Sequence, residues 1–225
     1  MEQKKVIGIL EMSEASTQFY IQLLNKHYGN KHLNDTHLFK LIPTNFEAIN
    51  NLLPNSSEQL DSLLSGYLKK IGSLPIEGIL IPNITIHETV DKVWDTLGSK
   101  TPIIHPLSVA INRMHKAGQQ QAVLFGSKYT MTAHYIKNTF ANANLTIVPP
   151  SKEEIDFIDW VRKQVYAGDI STEISKKINH LIRSYSEETT VLLACTELSI
   201  ASKIKNKNVL DLSKLQIEQA ISLLG

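Results

Sequence analysis

Cys195 is the only cysteine in the chain, and it lies in Val191-Leu192-Leu193-Ala194-Cys195-Thr196-Glu197-Leu198. An apolar, strand-like run delivers the thiol to a turn, and a hydroxyl and a carboxylate follow at once. A thiol at the carboxyl end of a buried strand lies near a helix start. There the helix dipole is expected to favour the thiolate, the form that takes protons or attacks carbon. Thr196 and Glu197 are poor core residues, so the segment reads as a site and not as packing.

The elements that must position this turn follow from periodicity. Short β-branched runs alternate with longer amphipathic stretches, the pattern of parallel strands joined by helices. Strands are expected at 5–10, 37–42, 78–82, 102–104, 121–126, 145–148, 190–194 and 208–210. Helices are expected near 15–28, 56–72, 87–97, 107–117, 129–142, 152–167, 171–186 and 213–223. Leu63, Leu64, Tyr67, Leu68 and Ile71 form an apolar stripe at helical spacing, and Asn55-Ser56-Ser57-Glu58 resembles a capped helix start. Trp94 and Trp160 fall at apolar positions of helices and are expected to pack.

The order has an internal echo. The first strand runs into Glu11-Met12-Ser13 and a helix; the strand at 121–126 runs into Ser127-Lys128-Tyr129-Thr130-Met131 and a helix. Each is followed, after a nearly equal interval, by a strand ending in a polar cluster. The expectation is an α/β chain of two pseudo-symmetric lobes, each a small parallel sheet flanked by helices, with strand ends meeting at a cleft between them. The first lobe would comprise 1–98 plus 208–225 and the second 99–207.

With 23 Lys and Arg against 22 Asp and Glu, the net charge is +1, and no basic footprint points to nucleic acid. A lone cysteine excludes an internal disulfide and a multi-thiol zinc site, and fits a reducing compartment. The apolar run at Val6–Leu10 is too short for a signal-peptide core or a membrane span. A cytoplasmic protein is expected. His27, His32 and His37 match neither helix-face nor strand spacing, so no metal site is expected.

At the four strand ends the chain resembles the aspartate/glutamate racemase family, particularly its broad-specificity amino-acid racemases. Ile7-Gly8-Ile9-Leu10 with Met12, Ser13, Ser16, Thr17 and Tyr20 is similar to that family's N-terminal loop and helix. Gly78-Ile79-Leu80-Ile81-Pro82-Asn83-Ile84-Thr85-Ile86-His87 resembles the strand that carries its first catalytic cluster, usually Cys-Asn-Thr-x-His. Pro102-Ile103-Ile104-His105 resembles the Pro-x-x-His strand that follows. Leu124-Phe125-Gly126-Ser127-Lys128-Tyr129-Thr130-Met131 resembles the second-lobe loop, and Ala194-Cys195-Thr196-Glu197-Leu198 the second catalytic cluster.

The resemblance implies racemisation of an amino acid or related carboxylate without pyridoxal phosphate or another cofactor, and a homodimer. One acid/base group would flank each face of the α-carbon. Cys195 is the expected second-lobe group. Met12, Ser13, Thr85, Ser127, Thr130 and Thr196 are the expected substrate-binding residues, with hydroxyls holding the substrate carboxylate.

The first cluster departs from the pattern. Asn83 stands where the family has its first cysteine, and a carboxamide has no proton to exchange near neutral pH. Ile84 replaces the usual Asn, and Glu11 stands where the family has glycine. Two like charges about 5 Å apart repel by roughly 3 kcal/mol at an effective dielectric near 20, so an inward Glu11 would oppose a dicarboxylic ligand. His105 is the candidate proton carrier if another base replaces the missing thiol; a structural, hydrogen-bonded role for it and for His87 stays open. Three readings stand: a single-cysteine isomerase, a catalytically inactive protein binding a small amino acid or carboxylate, and an interaction protein using its surface.

Overall fold

The computed structural model describes residues 5–27, 38–54 and 57–225. Within them, strands alternate with helices as β1 (Ile7–Leu10), α1 (Glu14–His27), β2 (Phe39–Ile42), α2 (Phe46–Asn50), α3 (Glu58–Gly72), β3 (Gly78–Leu80), α4 (His87–Leu97) and α5 (Pro106–Lys116). The order continues with β4 (Gln121–Phe125), α6 (Lys128–Thr132), α7 (His134–Asn142), β5 (Thr146–Val148), α8 (Lys152–Ala167), α9 (Thr172–Glu188), β6 (Thr190–Leu193), α10 (Thr196–Ala201), β7 (Val209–Asp211) and α11 (Leu212–Leu224).

All named strand pairings are parallel, in a sheet of order β2-β1-β3 and a sheet of order β5-β4-β6-β7. Ile103 adds a single parallel bridge to Ile79, so the first sheet continues in the same sense as the second. The echo in the sequence is therefore an echo in topology. The expected strand at 102–104 shrinks to this one bridge. It lies between Pro102, which has no N–H to donate to a ladder, and the start of α5.

Two compact units are formed by Met1–His105 with Gln216–Gly225, and by Pro106–Leu215. The sequence reading divided the chain at 98/99 and 207/208. The strand β7 pairs with β6, Val191 opposite Val209, which keeps residues 209–211 with the second sheet.

In the first unit the core gathers on β1 and β3 beneath α3 and α4. Leu60, Leu64, Leu68 and Ile71 of α3 are all but fully buried, at spacings of one helical turn. Each such side chain contributes about 1.5–3 kcal/mol by leaving water. Ser57 caps this helix by accepting from the Leu60 N–H at 3.1 Å. Gly8 permits the close approach: a Cβ there would sit 2.5 Å from Ile76 Cδ1 and 3.0 Å from Ile71 Cδ1. Trp94 packs against the same core.

The second unit buries Val123, Phe125, Val191 and Leu193 under α8, α9 and α10, with Ile158, Val161, Ile178, Ile182 and Leu198 among the covering side chains. A capping box fixes the start of α8: Ser151 Oγ accepts from the Glu154 N–H, and Glu154 accepts from the Ser151 N–H. Glu154 also accepts from the Tyr185 hydroxyl at 2.6 Å, joining α8 to α9. Trp160 departs from expectation. It is 44% exposed and stacks on Phe157 along the outer side of α8, leaving the packing to Ile158 and Val161.

The expected helix at 129–142 is two helices, because Ala133 takes an extended backbone between α6 and α7. The hydroxyl of Thr132 bonds back to the Lys128 carbonyl and satisfies the end of α6. His32 and His37 lie outside the described residues, as do the first residues of the expected strand at 37–42 and helix at 56–72.

Candidate functional site

In the second unit, β4 and β6 are neighbours with Phe125 opposite Leu193, so their carboxyl-end turns lie side by side. The Ala194 N–H donates to the Phe125 carbonyl at 2.7 Å, and Gly126 passes so close that a Cβ would sit 3.3 Å from the Ala194 carbonyl. This juxtaposition brings Ser127 and Thr130 to the same sheet end as Cys195 and Thr196. Ser127 caps α6 by accepting from the Thr130 N–H at 3.1 Å, and the two hydroxyls bond each other at 2.8 Å.

Cys195 is the extended residue immediately before α10, and its carbonyl accepts from the Ser199 N–H and hydroxyl. Ser199 Oγ also contacts buried Asp211 Oδ1 at 2.9 Å, which ties the cysteine turn to β7. The thiol donates to Glu197 Oε2 at 2.6 Å, and the Thr196 hydroxyl donates to the same oxygen at 3.2 Å. Thr196 and Glu197 are both buried.

The protonation of Cys195 corrects the sequence reading, which expected the helix start to favour the thiolate. Burial pushes the thiol well above its usual range, and the Glu197 carboxylate pushes it further by charge and by accepting its proton. The Arg162 guanidinium and the Glu197 backbone N–H pull in the opposite direction and do not prevail. At rest Cys195 is a thiol. The helix it precedes has six residues, too short a dipole to outweigh a carboxylate in direct contact.

Arg162 is held for this influence by Asp159, one turn earlier on α8. Asp159 Oδ1 accepts from Arg162 Nε at 3.1 Å and from the Lys128 N–H at 3.1 Å, while Lys163 pairs with Oδ2 at 2.7 Å. Burial opposes ionisation of Asp159, but hydrogen bonds from Lys163 and Lys128 and the Arg162 charge outweigh it and hold the carboxyl below its ordinary range. Lys128 and Lys163 are exposed helix-face charges, but the Arg162 side chain is 24% exposed and anchored.

In the first unit, Met12 and Ser13 form the turn from β1 to α1. The Met12 N–H donates to Thr17 Oγ1 at 3.0 Å, and Ser13 Oγ accepts from the Ser16 N–H while donating to the Ser16 hydroxyl. Glu11 is fixed through its backbone: its N–H donates to the Ile42 carbonyl, and its carbonyl accepts from the Thr44 hydroxyl at 2.6 Å. Asn83 and half-buried Thr85 occupy the turn from β3 to α4, beside the β1 turn because β1 and β3 pair.

Asn83 is bound into this turn by its main chain, with its N–H on the Ile81 carbonyl and its own carbonyl 2.7 Å from His87 Nδ1. His87 is fully buried, and its ring meets that of His105 edge to face with centroids 4.7 Å apart. His105 faces Asp91 at 3.4 Å. Burial, reinforced by the His105 ring, holds His87 neutral, well below the usual histidine range. Burial lowers His105 as well, against the opposing charge of Asp91.

Two contributors escaped the sequence reading as site residues. Glu197 could have been found from its place two residues after the thiol in the same turn. Asp159 carried a weaker signal, three and four residues before Arg162 and Lys163 on one helix face. Among the described residues no group of three or more His, Cys, Asp or Glu side chains could hold a metal ion. No described helix is long and apolar enough to cross a membrane.

With two parallel sheets in this order and these turns at their carboxyl ends, the chain has the fold of the aspartate and glutamate racemases. It is similar over 99% of its length to 99% of an aspartate racemase homologue from Pyrococcus horikoshii OT3, at TM-score 0.79 and 24% identity. It is similar over 99% of its length to 95% of the aspartate racemase of Picrophilus torridus, at TM-score 0.72 and 19% identity. The glutamate racemase of Campylobacter jejuni matches 96% of the chain, over 84% of its own, at TM-score 0.57 and 13% identity. No family model and no curated protein matches the sequence.

Proposed function

We propose that the chain is a divergent, single-cysteine member of the aspartate/glutamate racemase family, an isomerase that moves the α-proton of an amino acid without pyridoxal phosphate. The observation that carries this reading is the Cys195-Thr196-Glu197 turn beside the Ser127–Thr130 turn, on the racemase fold. Cys195 is the acid/base on one face of the α-carbon. Ser127, Thr130 and Thr196 donate to the substrate carboxylate. Arg162, anchored by Asp159, supplies positive charge beside the thiol.

Asn83 cannot take the part of a second thiol. His105 is the group proposed to replace it as proton carrier, linked to the Asn83 turn through its contact with His87. Two-sided racemisation is accordingly weakened relative to exchange of the α-proton on one face. The working form is a homodimer in the cytoplasm with a small-molecule substrate, without nucleic-acid or membrane partners.

The test is deuterium incorporation at Cα when each of the twenty amino acids is incubated with the protein in D2O, with Cys195→Ala as control. Exchange that disappears in the variant supports the isomerase. No exchange with any of them overturns it. A second reading, a catalytically inactive protein that binds an amino acid or carboxylate in the old site, is favoured by Asn83 and by the protonated state of Cys195. It requires ligand-induced thermal stabilisation without exchange.

A further inference from the structure

The connection from α10 to β7, residues 202–208, is neither helix nor strand, yet asparagine side chains fix its main chain. Asn179 of α9 donates to the Ala201 carbonyl at 3.0 Å and accepts from the Lys203 N–H at 2.8 Å. Further along, Asn206 Nδ2 donates to the Ser186 hydroxyl at 3.0 Å and Asn208 Nδ2 to the Ser186 carbonyl at 2.9 Å. A turn ends the loop where the Val209 N–H donates to the Asn206 carbonyl, and Ile204 packs against the core. The loop is thereby bound along α9 near both of its ends.

What it presents outward is charge. Lys203, Lys205 and Lys207 are all exposed. Arg183 lies four residues after Asn179 and three before Ser186, on the helix face that the loop follows, and Lys176 lies three before Asn179. Both are exposed as well. None of these five cations has a carboxylate within ion-pair distance among the described residues, whereas Lys177 of the same helix pairs with Glu173. Glu187 and Glu188 end α9 beyond Arg183 and bound the patch on that side. The whole chain carries a formal net charge of +1, so the remainder of it is net negative. Ile200 of α10, just before the loop, is 48% exposed.

We propose that the α10–β7 loop and the adjoining face of α9 are a docking surface for an acidic segment of another protein, with Ile200 as its apolar contact. The proposal goes beyond the isomerase reading and does not depend on it. A loop already fixed by its hydrogen bonds loses little freedom on binding. The planar guanidinium of Arg183 can take a carboxylate through two parallel bonds, and the lysines add attraction that speeds encounter. A single-stranded nucleic acid fits less well, because bases stack on aromatic side chains and exposed Trp160 and Tyr166 belong to α8. A bilayer surface calls for a broad apolar face to insert, and Ile200 is one side chain.

The experiment is fluorescence anisotropy of a fluorescein-labelled peptide of repeating Glu-Leu-Glu-Ser, titrated with the full chain. Saturable binding in the micromolar range is expected at low salt, the strength of a small transient interface. Raising NaCl from about 50 to about 200 mM should weaken it about tenfold. The same peptide with Gln for every Glu should not bind. Lys205→Glu combined with Lys207→Glu should weaken binding about tenfold or more, and Ile200→Ser about fivefold with the salt dependence kept. The substituted side chains are exposed, so each variant should keep the wild-type unfolding midpoint.

Absence of peptide binding, or binding indifferent to the charge reversal, overturns the proposal. Phosphatidylglycerol vesicles or an oligothymidylate bound as tightly as the peptide at the same salt would overturn the assignment to a protein partner. Deuterium incorporation at Cα should be unaltered in the charge-reversed variant. Failure of the docking surface and failure of the isomerase reading are therefore seen separately.

Discussion

The rings of His87 and His105 meet edge to face in the first unit, and burial keeps both from protonating at the usual pH of 6.5. In the unfolded chain both bind protons normally. Between the lowered folded value and 6.5, the unfolded state therefore holds more protons, and stability falls as pH falls. The contribution is complete above 6.5 and is lost progressively below it, by at most roughly 1.4 kcal/mol per pH unit for each ring. Urea midpoints measured from pH 7.5 down to 5.5 should decline, and His87→Gln or His105→Asn should flatten the decline. A flat wild-type profile through this window would contradict the neutral pair.

Asp159 anchors the Cys195 surroundings in the second unit. It accepts from the Lys128 backbone at the start of α6, and it pairs with Arg162 and Lys163 on its own helix. Asp159→Asn keeps an acceptor oxygen and removes the charge. The loss should be about 1–3 kcal/mol, the range for buried hydrogen bonds to charged groups. The pH dependence has a defined sign: a carboxyl held below its ordinary value stabilises the fold above that value, and the benefit goes as pH falls through the lowered one. Denaturation at pH 7 and at pH 3 should therefore separate wild type from variant widely at the first and narrowly at the second.

Strand and helix order was legible because each element buries one face, and burial writes a period into the sequence. The stripe on α3 and the helix at His87–Leu97 follow directly from it. Short elements leave no period. The five residues of α2 signal themselves only through Asn45, whose side chain accepts from the Ala48 N–H, and a single extended residue at Ala133 is invisible to a pattern that continues on both sides. For the candidate site, the polar turns were legible as strand ends, but the balance of forces on Cys195 was not. Whether a helix start or a carboxylate governs a thiol depends on a distance, and the spacing Cys195-x-Glu197 does not determine where a rotatable side chain ends.

Gly8 lies in β1 under the Ile71 and Ile76 side chains, where a Cβ would come within 2.5 Å of Ile76 Cδ1. The obstructing atom is the end of a flexible side chain, so the strain can be relieved by shortening it. Gly8→Ala should destabilise the protein by about 1–3 kcal/mol, as overpacked cores do. Ile76→Val removes that methyl, and the double variant should recover much of the loss beyond additivity. Equilibrium denaturation of the four proteins in the cycle measures the coupling; simple additivity would show that the backbone, and not Ile76, limits the site.

Asn83 offers the most direct test of the one-sided chemistry proposed above. Its main chain is fixed by the Ile81 carbonyl and by His87, so a substitution need not disturb the turn. Under the proposed chemistry, wild-type protein exchanges the α-proton of its substrate faster than it inverts the centre, because only one face carries an efficient acid/base. Asn83→Cys supplies a titratable group at the position where the sequence resemblance expects the first cysteine. The rate of inversion should rise by about 10²-fold or more, the usual contribution of a positioned acid/base, while exchange catalysed from the Cys195 face changes little. Optical rotation and deuterium incorporation followed on the same sample give the ratio of the two rates. If inversion stays as slow as in wild type while exchange persists, a thiol at this position does not reach the α-carbon. The one-sided chemistry would then reflect the placement of the first cluster and not its missing sulfur.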